Sequence, residues 1–142
     1  MVEASEASQK PRWTSVSEDV GLSPTVRRVL ELACVSLGVD LAWVSEFIGG
    51  QQVFRAVYGD PDRFGVRPGD ASPVSGSYCV RVLDGRLPAV IPDVSAQLVA
   101  ASLPVTAAMG IGAYVGTPIR AADGVPAGCC AVLRQPFPAT PP

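Results

Sequence analysis

Histidine does not occur anywhere in these 142 residues. Its absence rules out His-ligated haem, His-containing zinc sites and every nucleophilic triad that uses imidazole as its base. Charge is sparse as well: Asp, Glu, Lys and Arg make up 17% of the chain, the formal net charge is −2, and no basic run stands out. A nucleic-acid surface needs a Lys/Arg footprint, so no nucleic-acid partner is expected. The four cysteines, Cys34, Cys79, Cys129 and Cys130, have no paired spacing. Disulfide staples and a metal site are therefore not expected.

The opening Met1-Val2-Glu3-Ala4-Ser5-Glu6 has neither the basic start nor the apolar core of a secretory signal. Val94 to Ile119 is free of charge, but Pro104, Gly110, Gly112, Gly116 and Pro118 interrupt it. A buried helix followed by a buried strand accounts for it better than a bilayer crossing. The expectation is a cytoplasmic protein with no membrane partner.

What is present reads as a compact module. Hydrophobic residues make up 48%, and the length suits one domain with a core of its own. Residues 1–22 are polar and weakly patterned, an arm or linker, and 135–142 are a proline-rich linker. The domain is expected over 23–134. Ser23-Pro24 is a helix start with a hydroxyl cap, and Val26, Val29, Leu30, Ala33 and Leu37 recur at helical spacing before Gly38 stops the helix. Cys34 lies beside that stripe, in a packing position.

Leu41 to Ile48 and Gln51 to Tyr58 read as a hairpin around Gly49-Gly50. Strict alternation puts Trp43, Phe47, Phe54 and Tyr58 on one face and Val44, Ile48, Val53 and Val57 on the other. Glu46 and Arg55 become a sheet-surface ion pair, worth little. Gly59 to Gly76, with Pro61, Pro68 and Pro73, reads as a loop that wraps the sheet edge as a lid. A short helix follows to Leu83, with Tyr78, Cys79 and Val82 inward and Gly85 as its stop. Leu87 to Ile91 is a strand ended by Pro92-Asp93. A helix from near Leu103-Pro104 ends at Gly110. Gly112 to Ile119 and Pro126 to Arg134 pair across Asp123-Gly124, which sends Cys129 and Cys130 to opposite faces.

This order, with its Leu87-Pro88-Ala89-Val90-Ile91-Pro92-Asp93 strand, Gly110-Ile111-Gly112-Ala113-Tyr114 segment and Asp123-Gly124 turn, resembles a GAF domain. The run from Tyr78-Cys79 through Arg81-Val82-Leu83-Asp84-Gly85-Arg86-Leu87-Pro88 is similar to sensory GAF modules that precede bacterial GGDEF and EAL domains, which make and degrade cyclic di-GMP. The resemblance implies an α/β (α+β) fold with a central six-stranded antiparallel sheet, helices on both faces and a ligand pocket on one. It also implies a homodimer formed through flanking helices, and an output domain in the parent protein. No cofactor is identified. Bilin-binding relatives carry Cys-His where this chain has Ala101-Ser102, and haem-binding ones supply a histidine, so covalent bilin and His-ligated haem are disfavoured.

The reading that follows is a small-molecule-binding sensory module, not an enzyme, with no catalytic residue. Candidate ligand-binding residues are Tyr78 and Cys79 on the short helix, Asp93 at a strand end, Met109 above the pocket, Tyr114 and Thr117 on a later strand, and Trp43 and Phe54 as a floor. Two alternatives stand beside it. One is a dimerisation scaffold with a filled pocket. The other is a thiol-dependent reductase of free methionine sulfoxide built on Cys79. Relatives of that kind place a second cysteine between the positions of Asp93 and Gly112, where this chain has none.

Overall fold

The structure, a computed structural model, describes residues 23–136, so the expected arm and most of the expected C-terminal linker lie outside the described residues. The helices are α1 (Pro24–Leu37), α2 (Pro61–Phe64), α3 (Tyr78–Leu83), α4 (Leu98–Ser102) and α5 (Pro104–Met109). The strands are β1 (Leu41–Ile48), β2 (Gln51–Tyr58), β3 (Ala71–Pro73), β4 (Val90–Ile91), β5 (Ala113–Arg120) and β6 (Pro126–Arg134). They form one six-stranded sheet in the order β3-β2-β1-β6-β5-β4, and every neighbouring pair is antiparallel. None of the described helices is long and apolar enough to cross a membrane.

Helix α1 covers one face. The Ser23 hydroxyl accepts the Val26 N–H at 3.3 Å, Pro24 sits where no backbone donor is needed, and Gly38 closes the helix at φ 65°. Leu30 and Cys34 are buried against Ala42, Ala56 and Val132, with Val26 and Ala33 alongside, which gives Cys34 the packing place expected of it. The seam is narrower than the sequence stripe. Val29 and Leu37 are 56% and 59% exposed, because residues 26, 30, 33 and 34 alone define the line that meets the sheet.

The hairpin forms as the sequence predicts, with Gly49 and Gly50 at φ 56° and 76°, a left-handed pair that matches the strand twist. Its faces differ from strict alternation beyond Phe54. Val44 pairs with Ala56 but Ser45 pairs with Phe54, so Arg55 is an extra residue in β2. This bulge moves each later side chain to the opposite face. Val57 therefore joins Trp43, Phe47 and Phe54 in the larger core, whereas Tyr58 packs on the α1 side.

The bulge also changes the reading of Glu46. It is 1% exposed, and its Oε1 accepts a 2.6 Å hydrogen bond from Arg55 Nε. The pair is a buried carboxylate held by a half-buried arginine, not a surface pair.

Three other expectations are corrected. The Gly59–Gly76 segment is not all loop: Asp60 caps α2, and β3 adds an edge strand to β2. Pro73 is tolerated there because an edge strand need not donate on both sides. The Leu87–Ile91 strand shrinks to Val90–Ile91, while Leu87 is buried ahead of it. The expected helix from Pro104 to Gly110 forms as α5, but the charge-free stretch holds a second short helix, α4, before it, and no residue of α5 is buried. Among their residues Ala100 is buried, but Leu98 is 84% exposed, so the absence of charge there did not report burial.

Candidate functional site

The second face of the sheet carries the larger core, and α2, α3 and α5 stand over it. Tyr78 and Cys79 enter that core because Ser77 caps α3, accepting the Val80 N–H at 3.2 Å, which aims the first turn downward. Helix α5 ends at Gly110 at φ 64°, and Met109 packs against the same core. The two roof pieces are joined, since the Tyr78 hydroxyl is hydrogen-bonded to Thr106 Oγ1 on α5.

They are not pressed onto the strands. A cavity of about 720 Å³ lies between roof and sheet, within the range of small-molecule pockets. Its wall includes Trp43, Gln52, Phe54, Tyr78, Met109 and Tyr114. Four rings form a continuous surface: Phe54 meets Trp43 edge-on at 5.7 Å between centroids, Trp43 meets Tyr114 at 6.3 Å, and Tyr114 meets Tyr78 at 4.9 Å.

Six of the eight candidate residues thus line one cavity: Trp43, Phe54, Tyr78, Cys79, Met109 and Tyr114. Thr117 does not. On β5 it lies an odd number of residues from Tyr114, so it faces the other side of the sheet and is exposed. Asp93 is also elsewhere. Its carboxylate accepts from Ser95 N and Oγ and caps a 3-10 turn, beside a separate hollow of about 370 Å³ that includes Pro92, Ser95 and Gly112.

Sequence reasoning missed Gln52, Phe64, Val66 and Ile111, which also line the cavity. Gln52 was legible as the residue two before Phe54 on one strand. Phe64 and Val66 were hidden by the reading of their segment as an unstructured lid.

Cys129 was missed too. The Tyr114 hydroxyl lies 3.3 Å from Cys79 Sγ and 3.8 Å from Cys129 Sγ. Gln52 Nε2 donates to Cys79 Sγ at 3.6 Å and to Ser45 Oγ at 3.0 Å. The neighbouring Cys129 thiol is the largest influence holding the Cys79 thiol below its ordinary range. Burial opposes it, while Tyr114 and Gln52 add to it. Cys129 is pushed up, first by the neighbouring Cys79 and then by burial. Tyr114 is raised by burial first and by the neighbouring sulfurs second. Of the two thiols Cys79 is the one favoured to ionise, because Gln52 and Tyr114 stand within hydrogen-bond distance of its sulfur and can stabilise the thiolate.

With this geometry in view, the sequence model of the GAF domain family matches residues 21–141. This chain belongs to the GAF domain family. GAF domains are ligand-binding sensory modules of signalling proteins. Solved GAF structures share the fold at low identity. The phycocyanobilin-bound GAF domain of a cyanobacterial phytochrome is 16% identical with a TM-score of 0.59, over 88% of this chain and 74% of that one. The GAF domain region of a Geobacter sulfurreducens PCA protein is 18% identical with a TM-score of 0.59, over 82% and 76%. The A. aeolicus nlh2 GAF domain in an inactive state is 15% identical with a TM-score of 0.51, over 87% and 78%. No curated protein matches the chain in sequence.

Proposed function

We propose that this GAF domain is the sensor of a bacterial signalling protein, binding a small molecule that biases an output domain elsewhere in the parent chain, of the cyclic di-GMP type or another. The observation that carries this reading is the open cavity of about 720 Å³ between the sheet and the α3 and α5 roof. A molecule seated there touches the central strands and both roof helices together, so its affinity depends on their spacing. A ligand shifts a two-state equilibrium only through such differential affinity. The cavity also speaks against a scaffold whose pocket is filled by its own side chains.

A thermal-shift screen of metabolite classes tests the reading. A ligand at about 100 times its Kd stabilises the folded form by about 2.7 kcal/mol. A protein whose melting temperature responds to none of them counts for the scaffold.

The placing of Cys79 and Cys129 about one Tyr114 hydroxyl favours thiol chemistry as a second reading. Cys129, on β6, is the residue this reading uses as the second thiol. In the reduction of free methionine sulfoxide, the Cys79 thiolate attacks the sulfoxide sulfur and the thiol of Cys129 then closes a disulfide. The products are methionine, water and the disulfide, and an external dithiol restores the pair. Dithiol-dependent turnover that is lost in both Cys79→Ser and Cys129→Ser supports it, and its absence in the wild type removes it.

A further inference from the structure

Gln52 stands in the cavity wall with only the nitrogen of its amide bonded. The residue is 4% exposed, and its Nε2 donates to Ser45 Oγ at 3.0 Å and to Cys79 Sγ at 3.6 Å. The network fixes which way the amide points. Ser45 donates its one hydrogen to the Cys129 carbonyl at 3.3 Å, so its hydroxyl can only accept from Gln52, and the atom facing it must be the nitrogen. Oε1 is then left with no donor among the described residues. Two side-chain atoms without a partner are sealed in the interior, Trp43 Nε1 and Glu46 Oε2, and Gln52 Oε1 is not one of them. This oxygen therefore belongs to the small surface that Gln52 keeps open, and the space Gln52 borders is the cavity.

A carbonyl oxygen held in this way is an acceptor fixed in place. Both hydrogens of the amide are engaged, so the group cannot turn away, and a ligand that displaces water without bringing a donor leaves the oxygen unpaired. The other buried polar side chains of the wall already have partners: Ser77 Oγ donates to the Val74 carbonyl, the Tyr78 hydroxyl is bonded to Thr106, and the Tyr114 hydroxyl to Cys79. Charge narrows the class further. Among the described residues that line the cavity, Asp70 alone is charged, and it is exposed. The nearby arginines are committed elsewhere, Arg67 to Asp62 and Arg81 to the carbonyls of Ser75 and Ser77. An ion of either sign seated beyond Asp70 would lose its hydration and meet no opposite charge. The rings of Phe54, Trp43, Tyr114 and Tyr78 offer such a ligand a flat apolar neighbour instead.

We infer that the cavity takes an uncharged aromatic molecule carrying an N–H or O–H donor, and that this donor is received by Gln52 Oε1. This inference rests on the sensor reading above and names its ligand class.

Four bicyclic probes test it on the full chain: indole, which is uncharged with an N–H donor; benzofuran, of nearly the same shape with no donor; indole-3-carboxylate, which is anionic; and tryptamine, which is cationic. Heteronuclear NMR follows the backbone amides and the side-chain carbonyl carbon of Gln52, assigned through its own backbone. Indole should bind about fivefold more tightly than benzofuran, the fold-change of one net hydrogen bond, and should move the Gln52 carbonyl carbon downfield, whereas benzofuran should not. Gln52→Leu should remove the preference and leave the two probes within about twofold of each other. The wild-type preference and the carbon shift are read on a chain that keeps Gln52, so they stand even where that variant folds poorly.

Indole bound with no carbon shift, or no more tightly than benzofuran, overturns the assigned acceptor. Tighter binding of either charged probe than of indole overturns the uncharged class. Both results leave the sensor reading standing. If none of the four probes perturbs the amides of Val66, Ala108 or Met109, this inference falls, and the sensor reading falls with it only where the thermal-shift screen is blank as well.

Discussion

The sulfur of Cys79 on α3 lies 3.3 Å from the hydroxyl oxygen of Tyr114 on β5. A roof helix is thereby joined to the sheet at the wall of the cavity, and Cys129 of β6 completes the contact. Because the same contacts favour the Cys79 thiolate, chemistry at this sulfur reports the state of the roof.

Cys79 should therefore be the first cysteine alkylated in the folded protein. Its reactivity midpoint should lie below the ordinary thiol value of 9.0, because its hydrogen bonds favour the charged form. Cys34, Cys129 and Cys130 are all raised, with burial as the first cause at Cys34 and Cys130 and the contact with Cys79 first at Cys129. Iodoacetamide labelling against pH, mapped by mass spectrometry, checks the order. Tyr114→Phe and Gln52→Leu should each move the Cys79 midpoint upward.

Gly116 lies beneath the ring of Tyr114, so a Cβ added there would land on the Tyr114 phenol. Gly116→Ala should displace that hydroxyl from the two sulfurs. A stability loss of about 1–3 kcal/mol is expected from overpacking, together with a higher Cys79 midpoint. Chemical denaturation and the same labelling curve measure both. An unchanged midpoint would show that Tyr114 does not tune the thiol.

Arg55 holds the buried carboxylate of Glu46, whose second oxygen has no partner among the described residues. Arg55→Ala leaves that charge buried alone and should cost about 3–5 kcal/mol. The double variant Glu46→Leu with Arg55→Leu should recover most of the loss, because neither member then needs the other. Urea unfolding of the single and double variants decides it.

Helix α1 leaves Leu32 47% and Val35 73% exposed, besides Val29 and Leu37. In the homodimer proposed for the family's flanking helices, these are the side chains a second copy would cover. Leu32→Glu with Val35→Glu should convert a dimer to a monomer in sedimentation velocity while leaving the circular dichroism spectrum unchanged. A wild type that sediments as a monomer at all concentrations removes the proposal.

Much of the fold was legible because its signals are local. Ser23-Pro24 and Gly38 bound α1, Gly49-Gly50 turns the hairpin, and Gly110 closes α5, each through chemistry confined to a few residues. The candidate site was legible in part for the same reason. Tyr78 and Cys79 could be placed from the Ser77 cap and helical spacing, and Tyr114 from its strand. Thr117 was separable from Tyr114 by strand alternation, since three residues along a strand reach the opposite face, and that alternation was overlooked.

The sequence by itself determined α1, the β1–β2 hairpin, α5 and the β5–β6 pair, the family, and the absence of any imidazole chemistry. Tertiary structure alone decided where the bulge at Arg55 resets the face of β2, that Ala71–Pro73 closes the edge of the sheet, and that Cys79 and Cys129 share the Tyr114 hydroxyl. The division has one physical cause. Caps and turns depend on neighbours in the chain, whereas register, burial and the gathering of two sulfurs about one hydroxyl depend on elements brought together from distant parts of it.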